Sequence, residues 1–416
     1  MARKLDVYLH NHLVGKLAQD DDGRMSFDYL ESWLSNPNAM PLSQSLPLAQ
    51  KHFNRKACRG FFAGLLPDEG KREVIAKNLG ISASNDFAML EQIGGECAGA
   101  VTFVREGQGL SERDHNYRPL NSHELAEKLR ALPRRPLLAG EEGVRLSLAG
   151  AQDKIAVHVS EGRISIPLDG SPSTHILKPA TELFEGLVFN EALCMRLARA
   201  VGLSTATVEV GNAEGIDYLL VERYDRSPAE RGEKLRREHQ EDFCQALGIA
   251  PEYKYQAEGG PSLKQCFTLV REASASPVLD LQLLLDAVIF NWLIGNNDAH
   301  GKNFSFVYRG EVSSRLQTGL SPLYDLVSTV YYKELSPKMA MKIGGEYHSD
   351  RVFPRHFEGL AEEAGLAKPI LVRRVVELGD SMFAALPNVK TDQQVMTVVA
   401  DVIQTRCDNL LKRFRK

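Results

Sequence analysis

Asn297-Asp298-Ala299-His300-Gly301-Lys302-Asn303 lies just past the most apolar stretch of the chain, Leu281 to Gly295, and just before the run Phe304-Ser305-Phe306-Val307. An Asp is followed five residues later by an Asn, and Tyr324-Asp325 then supplies a second acid. Phosphoryl transfer needs that order of side chains. The first carboxylate stands beside an attacking hydroxyl, while the carboxamide and the later carboxylate are hard oxygen donors for magnesium. His300 and Lys302 add polar groups able to reach a phosphate. A plainer reading stays open for each part. Asn296, Asn297 and Asp298 all favour turns. Asp325, one acid in the apolar run Pro322 to Leu326, needs a partner, and a helix N-cap or a salt bridge serves as well as a metal. The two elements in order carry more than either alone.

Working outward, Lys178 closes the apparent strand His175-Ile176-Leu177-Lys178. A lysine there reaches phosphates as a point charge, although edge-strand lysines are common. Ala149-Gly150-Ala151-Gln152-Asp153-Lys154 is a turn of small residues whose backbone N–H groups can approach a phosphate. Ser147 lies beside it. Glu222-Arg223-Tyr224 ends a strand between a strand-rich half and a helical half, where backbone groups would read adenine. A charged strand end is the alternative. Gly94 to Gly99 reads as a turn and packing element. No Walker A loop, H-E-x-x-H, G-x-S-x-G or G-x-G-x-x-G motif competes.

The rest of the chain supports a soluble globular protein. Its 416 residues give a prior of about two or three domains. Apolar residues make up 43% and charged residues 25%, and a net charge of -4 provides no global attraction to nucleic acid. No two of the six cysteines form a C-x-x-C pair, which fits buried thiols in a reducing cytosol. Leu5, Val7 and Leu9 alternate as a strand rather than forming a signal-peptide core. The Leu281–Gly295 stretch is too short and polar to span a bilayer. A cytoplasmic location is expected, without membrane contact.

Pattern also predicts a hairpin at Asp20-Asp21-Asp22-Gly23 and helices between residues 60 and 100, with a strand from Ala98 to Val104. A linker is expected over 105–120, then a helix over 122–131 capped by Ser122. Strands are expected at Val144–Leu148, Ile155–Val159, Thr174–Lys178, Val208–Val210 and Tyr218–Tyr224. A helix is expected over 186–200, and the last 50 residues read as helical. The expected fold is α+β, two-lobed and protein-kinase-like. A strand-rich N-terminal lobe would stand against a mainly helical C-terminal lobe, with ATP between them. The boundaries are 1–105, 106–240 and 241–416.

Through these motifs the chain resembles the HipA family of serine/threonine kinases, toxins of bacterial toxin–antitoxin pairs. The matching segments include Ser45 to Leu48, Phe62 to Asp68, Ile93 to Val101, Ser147 to Lys154, His175 to Lys178, Val221 to Arg226, Trp292 to Ser305, Tyr324-Asp325 and Pro354 to Phe357. The resemblance implies Asp298 as catalytic base, with Asn303 and Asp325 holding Mg²⁺. It implies ATP contacts from Ala149 to Lys154, Lys178, Glu222, Arg223, Tyr224, His300, Lys302, Asn303 and Tyr324. Ser147 matches the serine that these kinases autophosphorylate, ejecting the phosphate-binding loop. It implies a HipB-like helix-turn-helix antitoxin that carries the operator contacts, and an aminoacyl-tRNA synthetase as substrate. Residues 1–105 resemble a subdomain that some systems encode separately. Gly344 to Arg351 holds one basic residue, Arg351, where some relatives have a lysine-rich stretch that touches DNA. Operator contact is therefore expected only through the antitoxin. A small-molecule kinase and a non-catalytic co-repressor remain as rivals.

Overall fold

The computed structural model describes residues 3–110, 115–227, 235–310, 317–389 and 393–415. Residues 111–114 of the expected 105–120 linker thus lie outside the described residues. The chain divides into two compact units. One takes residues 1–179, 211–252 and 306–317, and the other takes 180–210, 253–305 and 318–416.

The first unit is strand-rich. β1 (Arg3–Leu9), β2 (His12–Gln19), β3 (Met25–Tyr29), β4 (His52–Phe53) and β5 (Val101–Arg105) form one sheet in the order β4-β3-β2-β1-β5. Leu5, Val7 and Leu9 are fully buried, and Met25, Phe27 and Tyr29 alternate inward as expected. The β2–β3 hairpin turns at Gly23 (φ +78°), with Asp20 Oδ1 accepting the Arg24 N–H at 2.7 Å. The helix Arg55–Gly64 is capped by Asn54 and packs Phe62 against Phe27, ring centroids 5.2 Å apart. A second sheet has the order β10-β11-β9-β7-β8-β6. Its strands are β6 (Asn116–Pro119), β7 (Ile155–Ser160), β8 (Arg163–Leu168), β9 (His175–Pro179), β10 (Val208–Ala213, entering this unit at Gly211) and β11 (Ile216–Glu222).

Three local expectations are corrected. β6 forms inside the presumed linker and pairs with β8, Asn116 opposite Leu168. Its Pro119 is tolerated because β6 is an edge strand. The helix Ser122–Ala131 is capped not by Ser122 but by Asn121, whose side chain accepts the Glu124 N–H while Glu124 reaches back. Val144–Leu148 forms no strand and makes only an isolated parallel bridge, Leu146 to Glu96. The segment is drawn onto the Gly94–Gly99 turn instead, because Glu96 N–H bonds to Arg145 O and Ser147 N–H to Glu96 O.

The second unit is mainly helical. Its core helix, Pro277–Ile294, starts with Pro at the first turn and is buried continuously from Leu284 to Ile294. Such all-round burial marks a core helix enclosed by neighbours. The helices Leu263–Ala273, Lys368–Val389 and Gln394–Leu411 pack on it. The helix begins four residues before the expected Leu281. Among the described residues it alone is long and apolar enough to cross a membrane by length and composition, and 67% of it is buried within the protein. The fold is α+β, strand-rich in one unit and helical in the other.

Candidate active site

The second unit holds the Asp298 loop. The core helix stops at Gly295, in a left-handed conformation (φ +72°), where a Cβ would come within 2.4 Å of Val330 Cγ2. Neutral side chains then stitch the helix end to the segment after Asp325. Ser328 Oγ donates to Ile294 O at 2.7 Å, and Thr329 Oγ1 to Gly295 O at 2.9 Å. Asn297 N–H donates to Thr329 Oγ1 at 2.8 Å. Buried Asn190 brackets Ser328, accepting its N–H at 2.9 Å and donating to its carbonyl at 3.1 Å. Asn296 donates to Asn291 Oδ1 at 2.8 Å. Asp325 itself has φ +54°, a left-handed backbone that Asp tolerates better than most residues. That strain is held by its surroundings and is the kind that collects at functional sites.

Asp298 is exposed on this frame. Asn296 Oδ1 accepts its N–H at 3.2 Å, and the Tyr255 hydroxyl donates to its Oδ1 at 2.7 Å. The turn Gly301–Asn303 fixes Asn303, whose Oδ1 accepts the His300 N–H at 3.1 Å. Tyr324 O–H donates to Lys302 O at 2.8 Å and lies 2.6 Å from Ser305 Oγ. Asn296 Nδ2 also reaches the Asp325 carbonyl at 3.5 Å, and His300 N–H donates to Asp298 O at 2.8 Å, so within this unit Asp298, His300, Lys302, Asn303, Tyr324 and Asp325 belong to one hydrogen-bonded neighbourhood. Tyr255 was not legible from motifs, because nothing in its local sequence points 43 residues ahead to Asp298.

The first unit holds the other candidates. Ser147 is fully buried, and its hydroxyl donates to Leu65 O at 2.8 Å. Gly150 takes φ +109°, open to glycine, and Lys154 Nζ closes the small-residue loop onto Ala149 O at 2.8 Å. Asp153 pairs with Lys71, and Ala151 is exposed. Lys178 is buried on β9 opposite Leu219. Glu222 is exposed at the end of β11, and the Tyr224 hydroxyl bonds to the Gln240 side chain.

Arg223 differs from its neighbours. Its N–H bonds to Thr174 O at 2.9 Å, but its guanidinium is buried on Asp225, Glu96, Ser173 and Cys97 O. With its N–H bonded to Thr174 O, any nucleotide contact from Arg223 is left to its backbone carbonyl. Arg226 and Arg237 also converge on Glu96. Burial alone would raise the Glu96 pKa, but Arg226, Arg237 and Arg223 outweigh it and hold the carboxyl at about 2. Asp225 is likewise held well below the usual range, by Arg223 and Arg226 against its burial. The turn read as a packing element thus carries the hub of a buried ion cluster.

Comparison with known proteins places the whole chain in a family. Residues 5–104 match the HipA N-terminal domain, and residues 146–388 match the HipA-like C-terminal domain. A Sinorhizobium fredii protein, Y4mE, is 45% identical over 417 residues, covering 99% of this chain and 98% of its own. The serine/threonine-protein kinase toxin HipA of Shewanella oneidensis is 29% identical over 397 residues, covering 92% of this chain and 89% of its own. In a solved Shewanella oneidensis complex of HipA, HipB and operator DNA, a chain superimposes with a TM-score of 0.85 at 27% identity, covering 99% of this chain and 98% of that one. The chain belongs to the HipA family.

Proposed function

We propose that this chain is an ATP- and Mg²⁺-dependent protein serine/threonine kinase, the toxin of a HipBA-like module. The observation that carries the proposal is the hydrogen-bonded frame in which Asn296 accepts the N–H of exposed Asp298 and reaches the Asp325 carbonyl, while Asn303 accepts the His300 N–H. Asp298 is the base that orients the acceptor hydroxyl and takes its proton at a carboxylate oxygen. Asn303 and Asp325 would hold the metal. One carboxamide and one carboxylate are hard oxygen donors that would suit Mg²⁺. Asn303 Oδ1 accepts one hydrogen bond and keeps a second lone pair for that purpose. The chemistry such an ion would supply there is neutralisation of charge on the transferring phosphoryl group. In the first unit Lys178 and the Ala149–Lys154 loop are our choice for phosphate contacts, and in the second unit His300, Lys302 and Tyr324 are. Glu222, Tyr224 and the Arg223 backbone take the adenine. In this reading residues 1–105, 106–240 and 241–416 are the accessory, nucleotide-side and acceptor-side segments.

Autophosphorylation at Ser147 switches the enzyme off. A phosphoserine brings about -1.5 to -2 charges, and the fully buried site at Leu65 O has no room for them. The segment would have to leave, taking the adjoining loop with it. The substrate is a protein serine, with an aminoacyl-tRNA synthetase as our choice, so the outcome is blocked translation and growth in the cytoplasm. A HipB-like antitoxin binds the chain and carries the operator contacts. The likeness to a HipA solved with HipB and operator DNA supports that partner.

The test is mass spectrometry of the purified chain after incubation with Mg-ATP, beside Asp298→Asn. The variant should lose transfer by roughly 10²- to 10⁴-fold while remaining folded. Phosphate on Ser147 in the wild type supports the off-switch. Phosphate elsewhere keeps the kinase and discards the switch. Equal labelling of both proteins would remove Asp298 from its role. No labelling and no ATP binding in either would favour the co-repressor. Labelling of a metabolite rather than a protein in lysate would favour the small-molecule kinase.

A further inference from the structure

We propose that Tyr255 is a positioning residue for Asp298, holding one carboxylate oxygen so that the other is presented to the acceptor hydroxyl. This deepens the kinase reading and rests on Asp298 being the base. A carboxylate on an exposed turn rotates broadly about its last torsion. The Tyr255 hydroxyl, 2.7 Å from Asp298 Oδ1, selects one rotation through a charge-assisted bond. A phenylalanine would keep the ring and remove the hydroxyl that reaches Asp298.

Such a bond positions Asp298 only if Tyr255 is itself fixed, and three features fix it. The first is backbone. Gly260 N–H donates to Tyr255 O at 2.9 Å, and a Cβ at Gly260 would meet Tyr253 O at 2.4 Å and Tyr255 O at 2.7 Å. The chain folds back on itself there because residue 260 lacks a side chain. The second is the ring, which meets His300 edge-on at 5.4 Å and 76° and has the Lys254 ammonium 5.4 Å from its centroid. His300 lies two residues beyond Asp298, so the contact ties the tyrosine to the same loop.

The third is the strand Lys338–Ile343. Its Lys342 N–H donates to Gln256 Oε1 at 2.8 Å, and its Ala340 N–H donates to Asn297 O at 2.7 Å. Gln256 follows Tyr255, and Asn297 precedes Asp298. Residues two apart on a strand point their N–H groups to the same edge, about 6.6–6.8 Å apart. One strand edge therefore gauges both the residue beside the hydroxyl donor and the residue beside its acceptor. An incidental contact would not need a shared ruler.

The experiment measures γ-phosphate transfer from Mg-ATP to the chain itself for wild type, Tyr255→Phe and Gln256→Ala. The rate at saturating ATP, the KM for ATP and the melting temperature are recorded separately. Tyr255→Phe should lower the rate by about tenfold or more, with KM and melting temperature unchanged. Gln256→Ala, which leaves the hydroxyl but loosens its tie to the strand, should lower the rate by less. A wild-type rate in Tyr255→Phe overturns the inference and leaves the kinase intact. A faster rate also overturns it, because the hydroxyl would then be occupying the acceptor's place. A loss matched by a fall in melting temperature or ATP affinity reduces Tyr255 to packing. No transfer in the wild type overturns the kinase reading and this inference together.

Discussion

Two buried polar networks organise the two units, and they are built from opposite materials. In the first unit two acids, Glu96 and Asp225, face the guanidinium groups of Arg223, Arg226 and Arg237. In the second, Asn190, Asn291, Asn296, Ser328 and Thr329 share neutral hydrogen bonds. The ionic cluster turns inward: its charges bond to one another, to Ser173, Thr102 and nearby carbonyls, with guanidinium in excess and Arg226 Nε and Arg237 Nε buried without a hydrogen bond among the described residues. The neutral frame leads outward and ends on exposed Asp298. Each material suits its position. Paired buried charges fix chain crossings but are costly to break. A frame of amides and hydroxyls rigidifies a loop through bonds that carry no net charge.

The largest effect should come from opening the ionic cluster. Glu96→Gln leaves three buried guanidinium groups around a neutral partner. It should cost roughly 3–5 kcal/mol, read from the midpoint of denaturant unfolding at constant slope. The pH dependence follows in sign. The Glu96 pKa is about 2 in the fold against 4.5 as the reference value, so its stabilisation is present above 4.5 and drains away as pH falls towards 2.

Glu241 sharpens the contrast, because it is a buried acid without a cation among its recorded partners. Burial pushes its pKa up to about 7, partly offset by hydrogen bonds from Ser43, Tyr308 and the Gln44 N–H, with Asp242 adding to the rise. Between 4.5 and 7 the folded chain holds a proton that the unfolded chain has released. Stability therefore falls as pH rises through that window, and the loss is complete above 7. The span corresponds to roughly 3 kcal/mol. Glu241→Gln should flatten it, so the variant gains melting temperature relative to wild type at pH 8 but not at pH 4. An unchanged slope would mean that the carboxyl ionises freely in the fold.

The neutral frame should give the smallest effect. Asn190→Ala leaves the Ser328 N–H and carbonyl without their partner, costing about 1–3 kcal/mol, and should slow phosphoryl transfer as well. Calorimetry and the transfer assay check the two halves. If this loss equals that of Glu96→Gln, the distinction between the two materials is void.

Periodicity carried most of the elements. Leu5, Val7 and Leu9, the Asp20–Gly23 turn and the apolar run ending at Gly295 are local signals with local causes. The failures were also physical. Asn121 and Ser122 are both good caps, and which one served depended on where the helix entered. Val144–Leu148 has strand composition, but the Gly94–Gly99 turn captured its backbone. At the candidate site, Asp298, Asn303 and Asp325 could be put forward from the sequence because the expected chemistry asks for that type and order. Tyr255 and the burial of the Arg223 side chain could not, since Tyr255 meets Asp298 43 residues on and Arg223 meets Glu96 and Cys97 far back in the chain.

The burial of Ser147 turns any reaction at its hydroxyl into a measure of local opening. With no accessible surface and a bond to Leu65 O, the oxygen reacts only from conformers that have let go. The observed rate is then the open fraction multiplied by the intrinsic rate, and each 1.4 kcal/mol of opening free energy lengthens the delay about tenfold. Hydrogen exchange at the Ser147 amide, itself bonded to Glu96 O, reads that same fraction. Packing around Leu65 and Glu96 would thus act as a timer, one that mutation could reset without touching any of the residues proposed to meet the nucleotide.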